Sequence, residues 1–411
     1  MNSSRFRFLQ EKLIEELEEY REIQDEEIYK KIDDLILETG MEVYIRLSER
    51  NELRRELFNS VRRLDILQEL VDDDSVTEIM VNGTDGIFIE REGQLMRWGK
   101  TFESRSKLED LVQQIVSKCN RMINESVPIV DARLENGARV NIVLPPVALN
   151  GPIITIRRFP DRPVKMEQLI RWGAVSREAV DFLEQLVCAG YNIFISGGTG
   201  AGKTTFMNAL SNFIPKDERI ITIEDNAELQ LQGVKNLVRM EARNANAQGE
   251  LAVTIRDLIK SSLRMRPDRI LIGEVRGSEA IDLLQALNTG HDGSISTGHA
   301  NSPVDMLSRL ETMVLMGMEI PIQAIRRQIA SGIDIMVHLG RLRDKSRKVL
   351  EILEILGYDS STGEIRTQSL FQFREQGVDS WGNIQGSLAR TAELSGVQKL
   401  QRAGYVPRGA V

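Results

Sequence analysis

The nine residues Gly197 to Thr205 read GGTGAGKTT and fit the spacing Gly-x4-Gly-Lys-Thr. Glycines at these positions let successive backbone N–H groups turn inward around phosphate oxygens, which bulkier residues do not permit. The expected ATP ligands are Gly198, Thr199, Gly200, Ala201, Gly202, Lys203, Thr204 and Thr205. Lys203 would bring charge to the β- and γ-phosphates, and the Thr204 hydroxyl would reach Mg²⁺. An apolar run, NIFIS, precedes the loop and a helical one, TTFMNALSNF, follows it. A helix starting there adds partial positive charge toward an anion. A glycine turn with no ligand explains neither the lysine nor these flanks.

Three more apolar runs end in polar or ionisable residues: RIITI before Glu224-Asp225, RILI before Gly273-Glu274, and GSIST before Gly298-His299. Ligands of open parallel sheets bind beyond the carboxyl ends of the strands, so these groups are candidates for one site. Glu274 is expected to orient or deprotonate an attacking water, or to hold a metal-bound one. The alternative is that it only pairs with Arg276. Mg²⁺ needs one or two direct protein oxygens, so a second-strand aspartate is dispensable. Gly273 is expected to remove bulk beside the phosphate loop. Glu224 is a second catalytic candidate, ahead of Asp225 and Glu228. His299 is placed to hydrogen-bond a γ-phosphate or link it to the sheet, with a structural histidine as the rival reading; His291 and His338 lack such placement.

These residues need elements to hold them. Residues 1–70 read as a helical bundle, with Leu9, Leu13 and Leu17, then Ile28, Ile32 and Leu35, at helical spacing. Residues 71–160 read as an α+β domain. Short strands VTEIMVNG, GIFIERE and GQLMRW precede a helix from Lys107 to about Met122, the hairpin DARLENGARVNIV and the strand PIITIRRF. FPDRP, with Pro160 and Pro163, reads as a stiff connector. Residues 161–374 alternate strands and helices, which predicts a mostly parallel sheet covered on both faces. From Gly332, DIMVHLG and VLEILEILGY read as a hairpin, and 375–411 as a Gly-, Ser- and Gln-rich tail.

Composition narrows the class. A chain of 411 residues with 41% hydrophobic and 28% charged residues is an ordinary globular protein of two or three domains. Net charge is −8, and residues 1–70 hold twelve basic and eighteen acidic side chains. That balance argues against a surface built to coat nucleic acid. The two cysteines, Cys119 and Cys188, stand apart and exclude a cysteine-built zinc site. The first twenty residues are too charged for a secretory signal, and the charge-free run Val140 to Ile156 is broken by prolines and glycines. A cytosolic location is expected.

Together, SGGTGAGKTT, IEDNAELQL, RMRPDRILIGEVRG and LNTGHDGSISTGHANSP resemble the Walker A, Asp-box, Walker B and His-box motifs of secretion ATPases. The chain is similar to the CpaF-type branch, which powers tight-adherence (Flp) pilus assembly. The likeness extends through VTEIMVNG, VDARLENGARVNIVLPP and TIRRF upstream and to SLFQFRE downstream. It implies an α/β RecA-like P-loop motor with an N-terminal helical bundle and an α+β, PAS-like sensor domain. It further implies a cytoplasmic homo-hexamer, bound peripherally to an inner-membrane platform protein and acting indirectly on pilin. Arg139 in GARVN and Arg157 in TIRRF match arginines that reach phosphates in the family, with Arg158 not separable from Arg157. Gly298 departs from the family pattern, which tends to a bulkier residue there. The lack of a four-cysteine zinc insertion favours the CpaF-like or conjugative branches over type II secretion motors.

Two rivals stand beside this. A DNA-transport motor would use the basic run RDLIKSSLRMRPDR, which lacks interleaved aromatics for base stacking. A nucleotide-gated scaffold would not need Lys203, Thr204 and Glu274 together. A GTP switch would carry an NKxD tetrad, and none occurs.

Overall fold

A computed structural model of the chain describes residues 3–18, 23–42, 46–91, 93–119, 121–158, 163–243 and 252–405. It divides into two compact units, Met1–Asp161 and Arg162–Val411. Pro160 and most of the expected connector lie outside the described residues.

The first unit opens with helices α1 (Ser3–Glu18), α2 (Asp25–Glu42) and α3 (Leu47–Arg62). Their apolar stripes meet in a core of Leu9, Leu13, Ile28, Ile32, Leu35, Ile36, Leu53, Leu57 and Phe58. Tyr29 stacks on Phe58 at 4.1 Å. After a short α4 (Gln68–Val71) come strands β1 (Val76–Asn82), β2 (Gly86–Arg91) and β3 (Gln94–Arg97). Helix α5 (Arg105–Lys118) is followed by β4 (Ile129–Arg133), β5 (Arg139–Val143) and β6 (Ile153–Arg157). The strands form one sheet in the order β3-β2-β1-β6-β5-β4, every neighbour antiparallel.

Ser104 caps α5 by accepting the Lys107 N–H at 3.2 Å. The apolar stripe Leu108, Leu111, Val112, Ile115 and Val116 packs with the inward residues of the strands, Ile79, Val81, Ile87, Ile89, Val140, Ile142, Ile154 and Ile156. This helix ends at Lys118, short of the expected Met122. The hairpin at Asn136-Gly137 is also looser than a two-residue turn, since five residues separate β4 from β5. Asn136 Oδ1 accepts the Ala138 N–H there at 3.1 Å, and Gly137 takes a φ of 86°.

The second unit begins with α6 (Met166–Arg171), α7 (Arg177–Cys188), β7 (Ile193–Gly197), α8 (Lys203–Ser211), β8 (Arg219–Glu224) and β9 (Asn236–Glu241). It continues through α9 (Ile255–Ser262), β10 (Arg269–Ile272), α10 (Ala280–Leu287), β11 (Ile295–Gly298), α11 (Pro303–Gly317) and α12 (Ile322–Gly332). It closes with β12 (Ile335–Arg341), β13 (Arg347–Asp359), β14 (Glu364–Val378), β15 (Ile384–Arg390) and α13 (Gln398–Arg402).

All nine strands share one sheet, ordered β15-β14-β13-β12-β7-β11-β10-β8-β9. The six from β12 to β9 are parallel. Alternation explains the two-faced burial. Ile193 and Ile195 of β7 join the core under α6, α7 and α8, while Phe194 between them joins the core under α9 to α12.

The segment 375–411, expected as a tail, is described to Tyr405 and is built into this sheet. Its residues finish β14 and form β15, and α13 packs Leu400 into the core. Lys399 holds it at the opposite edge from the phosphate loop, bonding Asp292 and Asp334 at 2.7 Å each. The sequence NLVRME, not expected as a strand, is β9, a half-exposed edge.

Candidate nucleotide site

The phosphate-loop sequence bends as its glycines require. Gly200 and Gly202 take φ values of 71° and 90°, in the left-handed region. A side chain at Gly198 or Gly200 would meet no protein atom within 4 Å, so this rim of the loop faces open space. Lys203, the first residue of α8, is buried beneath it. Its Nζ donates to Gly197 O, Gly198 O and His299 Nδ1, each at 3.1 Å. Burial lowers the lysine's pKa, the Glu274 charge opposes that, and Arg276 adds to the lowering. The charged groups therefore lie beneath a loop whose backbone is open to a ligand, which fits a triphosphate. Thr204 is half-buried and Thr205 exposed on the first turn of α8.

The sheet order places β11 between β7 and β10. His299, just past β11, is thereby set between Lys203 of one neighbour and Glu274 of the other. Lysine is donor-only, so the neutral imidazole accepts from it, with Lys203 Nζ 3.1 Å from Nδ1 and 3.5 Å from Nε2. That Nε2 is 2.9 Å from Glu274 Oε1 but out of line for a hydrogen bond, and Oε1 is buried without a hydrogen-bond partner. Burial lowers the His299 pKa, Lys203 lowers it further, and Glu274 pulls the other way, so the ring is neutral near pH 7. Glu274 Oε2 accepts from Arg276 Nη2 at 2.8 Å. Burial alone would push the Glu274 carboxyl up. The Arg276 hydrogen bond and charge, with His299 and Lys203, outweigh it and hold the carboxyl below its ordinary value. Arg276 Nη1 also lies 3.5 Å from Asp225. Glu274 thus pairs with Arg276 and also faces the phosphate-loop lysine through His299.

Gly273 does not do what its place in the sequence suggests. A Cβ there would lie 3.0 Å from Glu224 Cγ and 3.4 Å from Glu224 Cβ, so the missing side chain makes room for Glu224 and not for phosphate or water. Glu224, with 2% exposure, folds the next loop around its carboxylate. Oε2 accepts the N–H groups of Glu228 at 2.8 Å and Leu229 at 2.9 Å, while Oε1 is buried without a partner. Burial raises its pKa to about 7 against those two bonds, which favour the anion.

Gly298 is accounted for in the same way. A Cβ would fall 2.9 Å from Met306 Cε and 3.0 Å from Phe194 Cε1, so the glycine beside His299 leaves room for these two side chains. His338 is buried on β12, paired through Nδ1 with Ser196 Oγ at 2.9 Å. His291 Nδ1 lies 3.1 Å from Ala286 O. Both serve the scaffold.

In the first unit, Arg139 and Arg157 face each other directly across β5 and β6. Arg133 on β4 is the next partner on one side, and on the other Glu78 of β1 lies 3.8 Å from Arg157, followed in the row by Glu90 of β2. Arg158 is different. Its side chain, 12% exposed, ties down the turn before β1, donating to Asp73 O, to Val76 O at 3.3 Å and to Asp74 Oδ1 at 2.9 Å.

The basic run 256–269 is largely engaged inside the second unit. Arg269 is buried against Glu218, and Arg256 and Lys260 approach the buried Asp282 at 2.7 and 3.7 Å. Among the described residues no group of three or more His, Cys, Asp or Glu side chains is arranged to hold a metal ion. No described helix is long and apolar enough to cross a membrane.

One contact was not foreseen. Arg347 Nε on β13 donates to Gly200 O at 2.8 Å, across 147 residues of chain.

Residues 61–398 match the model of the type II/IV secretion system protein family. A Mycobacterium tuberculosis protein named for conjugal transfer is 36% identical over 293 residues, covering 70% of this chain and 83% of its own. The type IV secretion system protein PtlH of Bordetella pertussis is 34% identical over 305 residues, covering 67% of this chain and 89% of its own. The Legionella pneumophila ATPase DotB matches in structure with a TM-score of 0.50 at 20% identity, over 72% of this chain and 81% of that one, which shows a shared α/β fold. With a phosphate loop, a buried loop lysine and a glutamate converging at one sheet edge, the chain belongs to the type II/IV secretion system ATPase family and hydrolyses ATP.

Proposed function

We propose that the chain is the motor of the CpaF-type branch, a RecA-like ring ATPase that drives assembly or retraction of a Flp-like pilus, or secretion, through an inner-membrane platform. The observation that carries it is the line Lys203–His299–Glu274 across three adjacent strand ends. The phosphate-loop backbone and Lys203 hold the β- and γ-phosphates, and Thr204, with Glu274 through water, would hold Mg²⁺. The cation would supply charge neutralisation at the transferring phosphoryl group. Glu274 takes the proton of the attacking water once Arg276 yields Oε2. Neutral His299 holds Lys203 and Glu274 in register. Glu224 braces the 225–229 loop beside them.

Arg139 and Arg157 are the phosphate-directed arginines of the same proposal, supported by their place side by side on β5 and β6. A helical bundle before residue 70, a PAS-like sensor up to residue 160, a homo-hexamer, a platform partner with indirect action on pilin, and a cytoplasmic, peripheral location belong to this reading.

Turnover and nucleotide binding of Glu274→Gln test the core of it. The amide keeps shape but not basicity, so ATP should bind while turnover falls about 10²–10⁴-fold. Wild-type turnover would remove Glu274 from the chemistry.

The relatives named for conjugal transfer and type IV secretion favour a second reading, a conjugative or DNA-transport ATPase. DNA that binds with steep salt dependence and stimulates hydrolysis would select it over the pilus reading. The internal pairing of Arg256, Lys260 and Arg269 weighs against it.

A further inference from the structure

We propose that Arg347 is a nucleotide-binding residue. It grips the part of the nucleoside triphosphate that is not transferred, on the flank of the phosphate loop opposite Glu274. This rests on the nucleotide reading of the loop.

The sheet supplies the geometry. Strand β12 neighbours β7 on the side away from β11 and β10. Leu339 of β12 pairs with Gly197, and β12 runs on to Arg341, whose partner on β13 is Arg347. The β12–β13 turn therefore stands past the edge where the phosphate loop begins. From there Arg347 reaches back over the loop. Its Nε bonds Gly200 O, and a Cβ at Gly202 would sit 3.5 Å from its Cδ. The side chain lies along the final residues of the loop.

Its charge has no internal use. Arg347 is exposed and has no carboxylate partner among the described residues. Two nearby cations are engaged otherwise: Arg343 pairs with Glu375, and buried Lys348 donates to Gly173 O at 3.0 Å. A guanidinium anchored through Nε is a preorganised fork, with its Nη donors left for a planar or tetrahedral oxyanion. The γ-phosphate belongs on the flank of Lys203, His299 and Glu274. What extends toward β12 is the α-phosphate and ribose, and Arg347 meets them there.

Such a contact is the same in substrate, transition state and ADP, so it shows as uniform binding. The probe is ADP, titrated into the full-length protein, with ATP turnover alongside. Arg347→Ala should weaken ADP about tenfold, as loss of one charge-assisted contact does at an exposed site. KM for ATP should rise by a similar factor, with a far smaller change in kcat. The salt dependence of ADP binding should flatten, because a screened attraction is gone, and Arg347→Lys should restore part of that slope.

Unchanged ADP affinity in Arg347→Ala overturns the proposal. So does weaker binding with an undiminished salt slope, or a fall in kcat at constant KM, since either marks a mere brace on Gly200. If Arg347→Ala does not fold, Arg347→Gln decides: weaker ADP binding with a flattened salt slope supports a charge contact, and wild-type affinity and slope refute it. Wild-type protein that fails to bind ADP would sink the nucleotide reading itself, and this proposal with it.

Discussion

Gly273→Ala is the substitution that asks most of the site's packing. The added methyl would sit 3.0 Å from Glu224 Cγ, tighter than real carbon contacts of this kind tolerate. A long side chain can often swing aside. Glu224 cannot do so freely, because it is buried and its Oε2 holds two backbone N–H groups at 2.8 and 2.9 Å. Overpacking a core costs about 1–3 kcal/mol. Strain on a charge-assisted hydrogen bond worth roughly 1.5–3 kcal/mol adds to it, so a net loss of about 2–4 kcal/mol is expected. For a unit of this size that lowers Tm by roughly 5–15 °C.

The assay is urea unfolding of the whole protein, following the transition that added ADP moves to higher urea, since ligand binding marks the unit that carries the site. Glu224→Ala provides the control, because it removes the atom the methyl strikes. The double variant should then be less destabilised than the sum of the singles, with a coupling of at least about 1 kcal/mol. Strict additivity, or a neutral Gly273→Ala, would refute the account of why glycine precedes Glu274.

Glu224 also predicts a pH dependence. Its folded pKa of about 7 lies above its ordinary 4.5, so the folded state binds more protons between those values. Stability should therefore fall as pH rises from 4.5 to 7, by on the order of 3 kcal/mol from this group, and Glu224→Gln should flatten that slope in urea titrations at pH 5 and 7.5. Neighbouring arginines should separate by assay. Arg158→Ala should lower stability by about 1–3 kcal/mol, since it leaves the 73–76 turn unsatisfied, whereas Arg157→Ala should spare stability and slow ATP turnover. The reverse outcome in thermal melts and hydrolysis rates would exchange their roles.

The phosphate loop was legible because its chemistry is local. Backbone cradling needs glycine at fixed spacing, and ten consecutive residues state it. The strand-end rule likewise found Glu274 and His299, which follow apolar runs directly. What stayed hidden depended on neighbours supplied by the fold. Glu224 fills the space beside Gly273 from an adjacent strand, and nothing near Gly273 in the chain announces it. Arg157 and Arg158 differ only through the distant 73–76 turn. Strands β9, β14 and β15 are largely half-exposed, so their alternation was weak and composition suggested loops.

Strand order explains the remaining gap. Chain order runs β7, β8, β10, β11, yet in the sheet β11 inserts between β7 and β10. That insertion turns three residues at positions 203, 274 and 299 into one line, with the imidazole in the middle. A sheet with β10 directly beside β7 would bring Lys203 and Glu274 into a plain ion pair, holding the glutamate against the loop lysine. The intervening strand keeps the two charges apart while leaving both at the same edge. In the proposed mechanism, a base for water and a cation for phosphate use that separation.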